Sequence, residues 1–197
     1  ARNRSGLTAD DLQACLAQLS GTGGQLPGTG GSGTGQGAGQ GMMTGTAFMG
    51  AMSGGTVTAY AVSGGVRGQA LAAAPLGAGG AFSVGLGTYA GPVMLEVAGA
   101  TFADEATGTA MPMASRDVLT ACVPSVAAGA STSGVQVTPL TTMAQAMAQA
   151  MPGGMTTANA AAANAGVGSY FMAGDVLGTM PMDPAVAGSG SGAAFCP

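Results

Sequence analysis

Hydrophobic and polar positions along this 197-residue chain follow three successive rhythms. In the first, Leu12, Cys15, Leu16 and Leu19 recur at i, i+3, i+4 and i+7, which predicts an amphipathic helix. Thr8 stands at the N-cap, Asp11 at the third helical position completes a capping box, and Leu7 and Leu12 have the spacing of a hydrophobic staple. Three turns are marginal alone, so the stripe must dock, either on its own domain or on a neighbour.

The second rhythm has period two. Residues 42–50, 55–62, 80–86 and 91–99 read as strands, with 68–74 a weaker one ended by Pro75, and 118–123 and 133–138 supply more. Phe82, Val84 and Leu86 share one face, as do Val93, Leu95 and Val97, with Glu96 pointing outward. Gly- and Ser-rich turns separate these runs every 8–12 residues, the spacing of an all-β sandwich. The third rhythm is helical again. Thr138-Pro139 is a helix start, Leu140, Met143, Met147 and Met151 form a stripe, and Pro152-Gly153-Gly154 ends it. A second, alanine-rich helix is predicted from Thr157 to about Met172, closed by Gly174, and the remaining tail reads as loop.

Between the first two rhythms lies a tract, residues 20–41, with eleven glycines in twenty-two positions, among them Gly28 and Gly33. Each ordered residue would cost roughly 1–2 kcal/mol, most of all for glycine, so an ordered arm needs something to hold it. The expectation is that the arm packs against another copy of the molecule. The resulting division is 1–41 helix and assembly arm, 42–137 sandwich, and 138–197 helical pair and tail.

Composition strengthens the case for assembly. Charged residues are 6%, against about 25% in an ordinary globular domain. The basic residues are Arg2, Arg4, Arg67 and Arg116, and lysine, histidine, tryptophan and isoleucine are absent. Such a surface lacks the charge that keeps a monomer soluble and blunts sheet edges; codon bias toward Ala and Gly is an equally weighted cause. A net charge of −4 with no basic patch argues against nucleic acid and anionic membranes, and no apolar run approaches a membrane span of ~20 residues. The first residue is Ala1 rather than Met, which suggests a removed secretion signal. Cys15, Cys122 and Cys196 are disulfide candidates, with one disulfide in any of three pairings and one thiol left over.

The stretch from Gly55 to Ala103 resembles the carboxypeptidase-regulatory-like, transthyretin-type β-sandwich of bacterial secreted proteins. The carrying segments are Gly55-Thr56-Val57, Gly79-Gly80-Ala81-Phe82-Ser83-Val84 and Tyr89-Ala90-Gly91-Pro92-Val93-Met94-Leu95-Glu96-Val97. Phe102-Ala103-Asp104-Glu105-Ala106-Thr107-Gly108, Val137-Thr138-Pro139-Leu140-Thr141-Thr142-Met143-Ala144 and Gly174-Asp175-Val176-Leu177 look like parts of cell-surface lipoproteins that carry this domain before a helical region. The resemblance implies a mainly β, Greek-key sandwich on a surface protein that serves as a non-catalytic scaffold. The chain departs from it in having no lipidatable cysteine at its N-terminus.

Catalytic chemistry has few carriers here. Without histidine or lysine, Ser-His-Asp, Cys-His and Ser-Lys systems are excluded, and no phosphate or dinucleotide loop is present. Asp104-Glu105 is the one acidic pair beyond the N-terminal cap and reads as a solvated loop in preference to a Ca²⁺ site. Fourteen methionines, including Met111-Pro112-Met113 and Met180-Pro181-Met182, invite a Cu(I) reading, but methionine also fills core gaps where branched residues are scarce, and that reading is preferred. Leu26-Pro27-Gly28-Thr29-Gly30 has a sorting-signal pattern but lacks the apolar segment and basic tail that would follow one.

These readings lead to an extracellular, cell-surface protein: a non-enzymatic bacterial fibre subunit whose partners are other copies of itself, with no cofactor, metal or small-molecule substrate. Leu7, Leu12, Cys15, Leu16, Leu19, Gly28 and Gly33 are its expected assembly residues. The rival reading is a monomeric surface binding or adhesion module.

Overall fold

The computed structural model describes residues 40–180 apart from Glu105. Ten strands precede two helices: β1 Gly41–Ala47, β2 Met52–Ser53, β3 Thr56–Ser63, β4 Val66–Pro75, β5 Ala81–Gly87, β6 Gly91–Ala98, β7 Thr101–Ala103, β8 Ala110–Pro112, β9 Val118–Val126, β10 Thr132–Val137, α1 Pro139–Ala150 and α2 Thr157–Tyr170. The protein is mainly β, with an arrangement compatible with a β-sandwich carrying a helical pair.

Alternation along the strands builds the layers. One sheet has the order β10-β1-β5, with β1 parallel to β10 and antiparallel to β5. A second, antiparallel throughout, has the order β4-β3-β6-β9, and a small one joins β2, β7 and β8. Met43 and Ala47 of β1, Phe82, Val84 and Leu86 of β5, and Val135 and Val137 of β10 share a single buried cluster with Val57 and Ala59 of β3, Val93, Leu95 and Val97 of β6, and Leu119, Ala121 and Val123 of β9. The faces read from sequence for β5 and β6 are thus the buried ones. The alternate positions of the four-stranded sheet face the other way, where Val62, Met94 and Cys122 pack against Ala148, Met155, Ala160 and Ala163 of the helical region.

The expected strand over 42–50 ends at Ala47, because the chain bends and Gly50 takes a φ of +79° where it passes Ala103. The weak strand over 68–74 is longer than expected, because Gly64 and Gly65, at φ +59° and +76°, form a two-residue hairpin turn that pairs Ser63 with Val66. Pro75 sits at its end, where a missing N–H is tolerated. Strands β2, β7 and β8 have two or three residues each, too few for a period to be read.

The first helix starts as its sequence requires. Thr138 Oγ1 accepts from the Thr141 amide at 3.3 Å, Thr141 Oγ1 accepts from the Thr138 amide at 2.7 Å, and Pro139 follows the cap. Its buried face is Leu140, Thr141, Ala144, Gln145 and Ala148, so of the expected stripe Leu140 is buried, Met151 is half-buried, and Met143 and Met147 are not on the buried face. Ala144 and Ala148 take positions on this face because α1 packs against both α2 and β9, and Thr141 and Gln145 bond Thr120 of β9. Ala148 meets Ala160 and Ala163, and Leu140 and Ala144 meet Val167, so the helices run antiparallel. Met143 and Met147 are turned to solvent.

Candidate interaction surface

Two of the sheet edges are covered in part by the chain itself. At the free edge of β9, the Thr120 amide donates to Thr142 Oγ1 at 2.9 Å and the Thr120 carbonyl accepts from Thr141 Oγ1 at 2.9 Å, so hydroxyls of α1 satisfy backbone groups a neighbouring strand would use. The Thr120 hydroxyl also donates to Gln145 Oε1 at 3.2 Å. On β10, the Gln136 amide donates to the Leu177 carbonyl at 2.7 Å, which lays the segment after α2 along that edge. The β4 edge, by contrast, is exposed over Val66–Ala70.

The acidic residues among those described are engaged in local structure. Asp104 Oδ1 accepts from the Thr107 amide and hydroxyl, each at 2.8 Å, and from the Ala106 amide at 3.2 Å, which shapes the turn between β7 and β8. The Thr107 hydroxyl and then the Thr107 amide hold this carboxyl below its ordinary range. Glu96 accepts from Arg67 at 2.6 Å, while the Arg67 guanidinium sits 4.7 Å from the centre of the Tyr60 ring. Glu96 is only partly exposed and its charge is matched, in keeping with its outward-facing strand position. Asp175 Oδ1 accepts from the Leu177 amide at 3.0 Å. No group of three or more His, Cys, Asp or Glu side chains suited to a metal occurs among the described residues.

The sulfur-bearing residues among those described range from buried through half-buried (Met42, Met49 and Met151) to exposed. Met43, Met52, Met94, Met113 and Met155 are buried and fill the cores between strands and helices. Met111 is exposed, and so are Met143, Met147 and Met172 on the helical pair. Cys122, one of the three disulfide candidates, is a free thiol buried between β9 and the helices, and burial pushes it up from 9.0 to about 11. The other two, Cys15 and Cys196, lie outside the described residues, as do Leu7, Leu12, Leu16, Leu19, Gly28, Gly33 and the glycine arm.

A shallow groove of about 310 Å³ runs between α2, β9 and the segment after α2, lined by Pro124, Ala161, Asn164, Ala165, Gly174, Asp175 and Leu177. Asn164 is buried and donates through Nδ2 to the Cys122 carbonyl at 3.0 Å, tying α2 to β9, while its Oδ1 has no hydrogen-bond partner. This is a structural tether at the floor of the groove.

The larger feature is the solvent face of the helical pair. Met143 is 45% exposed, Met147 42%, Tyr170 82% and Met172 87%. A β-carbon added at Gly166 would lie 3.6 Å from the Met147 terminal methyl, so the Met147 side chain reaches across to α2 beside Gly166. The sequence has no charged residue between Asp117 and Asp175, so the whole helical layer presents apolar and neutral polar groups. The period that places methionines on one stripe does not say whether that stripe points in or out. No helix among the described residues is long and apolar enough to cross a membrane. Compared with family models, curated proteins and solved structures, the chain matches none of them.

Proposed function

We propose that this protein is a non-enzymatic structural subunit of an extracellular filament or surface polymer, in which the N-terminal arm of one copy packs on the next. The observation that carries this reading is the exposed Met143, Met147, Tyr170 and Met172 face on a layer without charge. Exposed apolar side chains suit contact sites, and flexible methionine side chains suit a surface that adapts to a partner. An arm that reaches from each copy to its neighbour is a heterologous contact, and it propagates where the rotation does not close. The sandwich is read as the Greek-key, transthyretin type. Its support is the path of the chain, which leaves the β3–β4 hairpin for β5 in the other sheet and returns as β6 beside β3. The lack of histidine and lysine, and acids committed to turns and a surface pair, support a scaffold role.

Deletion of residues 1–39, which leaves β1 whole, tests the reading. Filaments seen in negative-stain micrographs of the full chain should be lost, leaving a monodisperse species in sedimentation. A deletion variant that still polymerises overturns the arm reading. A full chain that remains a single species near 18.4 kDa favours the monomeric binding module instead.

A further inference from the structure

Filling gaps in the core accounts for Met43, Met52, Met94, Met113 and Met155, which are buried. It does not account for Met143, Met147 and Met172, which stand on the helical pair at 45%, 42% and 87% exposure. Among the described residues other than glycine, only Met172 has a left-handed backbone, with φ +53°. It occupies the position after the C-cap of α2 where glycine is the usual residue. The Ala173 amide donates to the Gly168 carbonyl at 2.8 Å and the Met172 amide to the Ser169 carbonyl at 3.3 Å, the two bonds of a Schellman ending. An L side chain there costs energy that glycine would not, and a thioether this exposed recovers nothing by burial within the described domain. What these three side chains keep in full is the reactivity of their sulfur.

We propose that Met143, Met147 and Met172 are a modification site, at which a peroxide-class oxidant converts each thioether to its sulfoxide. A lone pair on Sδ attacks one peroxide oxygen, so the S–O bond forms as the O–O bond breaks. The proton on the transferred oxygen passes to the departing one, which leaves as water when the oxidant is hydrogen peroxide. Sulfur is oxidised by two electrons and the peroxide is reduced by two. The step calls on no protein acid or base, so access to the sulfur decides where it occurs. Met147 Sδ lies 3.9 Å from where a β-carbon of residue 166 would stand, and because that residue is glycine it places no side chain over the sulfur. Cys122, the free thiol among the described residues, is buried and protonated at neutral pH, so it does not compete for the oxidant.

The sulfoxide oxygen is a polar acceptor on a layer without charge, since no charged residue lies between Asp117 and Asp175. An apolar contact made through this face would have to desolvate that oxygen without pairing it, which disfavours the contact. Oxidation of the buried Met43 or Met155 would disrupt packing, whereas oxidation at the exposed positions leaves the fold standing. Oxidised copies are therefore folded but do not assemble. Met111, exposed to a similar degree, belongs to β8 in the small sheet, and its oxidation leaves assembly unchanged. The consequence for assembly rests on the assembly reading above; the selectivity of the oxidation does not.

The test treats the full chain with dilute hydrogen peroxide before assembly and follows each methionine by peptide mass mapping. Met143, Met147 and Met172 should gain oxygen about tenfold or more faster than Met43, Met52 and Met155. Equal rates across these six, or slower uptake on the helical pair, overturn the site. The oxidised full chain should keep its circular dichroism yet form about fivefold less sedimenting polymer, or lower still. The triple variant Met143→Leu, Met147→Leu, Met172→Leu should assemble with or without peroxide, whereas Met111→Leu should stay peroxide-sensitive. If the triple variant loses assembly on oxidation as fully as the native chain does, the helical pair is not the switch and the proposal fails. A full chain that never assembles removes the assembly reading, while the peptide map still decides the site.

Discussion

Gly65 and Gly154 meet where the β3–β4 turn touches the loop between the helices, and the Met155 amide donates to the Gly65 carbonyl at 2.7 Å. A β-carbon at Gly65 would fall 1.7 Å from the Gly153 carbonyl oxygen, whereas one at the adjacent Gly64 meets nothing within 4 Å. Both residues have positive φ, so both alanine variants carry the left-handed penalty. Gly64→Ala should therefore cost about 1 kcal/mol and Gly65→Ala roughly 3 kcal/mol or more, because only the second must also separate two loops. Urea denaturation of the two variants checks the difference; equal losses would mean that the contact contributes nothing.

Cys122 gives a second residue-scale expectation. Its thiol is neutral in both folded and unfolded chains below pH 9, and burial raises the folded value to about 11. Above pH 9 the unfolded chain releases a proton that the folded chain keeps, so stability falls as pH rises between those values. Cys122→Ala should flatten that fall in denaturation curves taken from pH 8 to 11. In the native protein at pH 8 the thiol should react with a disulfide reagent only as fast as the chain opens.

At the scale of elements, α1 shows how a helix can be legible in its start and illegible in its orientation. Thr138 and Pro139 specify where it begins in any context, since a cap is a local hydrogen-bond pattern. The face it buries depends on what it meets, and a carbonyl and an amide at the edge of β9 call for hydroxyls there instead of methionine. Thr138→Ala should cost about 1 kcal/mol, the ordinary loss of a cap. Thr141→Val, nearly the same in shape, should cost more, about 1–3 kcal/mol, because it also leaves the buried Thr120 carbonyl without that donor. Thermal unfolding followed by circular dichroism ranks the pair, and the reverse order would show that the edge contact is dispensable.

At the scale of the whole molecule, three layers follow from two different packing rules. Branched and aromatic side chains alternate on the facing sheets and make a thick apolar core, while alanines on α1 and α2 let the helices lie close on the outer sheet face. This division leaves the larger side chains of the helices, Met143, Met147 and Tyr170, pointing to solvent. The proposed assembly through this face should depend little on ionic strength, because no charge lies between Asp117 and Asp175. Turbidity or sedimentation of the full chain should accordingly change less than about twofold between low and 1 M NaCl. A collapse of assembly in salt would point instead to Arg2, Arg4 and the acids.

The sequence by itself determined the type of the longer strands and of the two helices, the inward faces of β5 and β6, and the cap of α1. Each of these is set by period or by hydrogen bonds within a few residues, so neighbours in the chain suffice to write it. Tertiary structure alone decided the parallel pairing of β1 with β10, the burial of Ala144 and Ala148 in place of Met143 and Met147, and the strained exposure of Met172. Those outcomes depend on which surfaces approach closely enough to exclude a large side chain, and that distance is a property of the packed molecule rather than of any stretch of its chain.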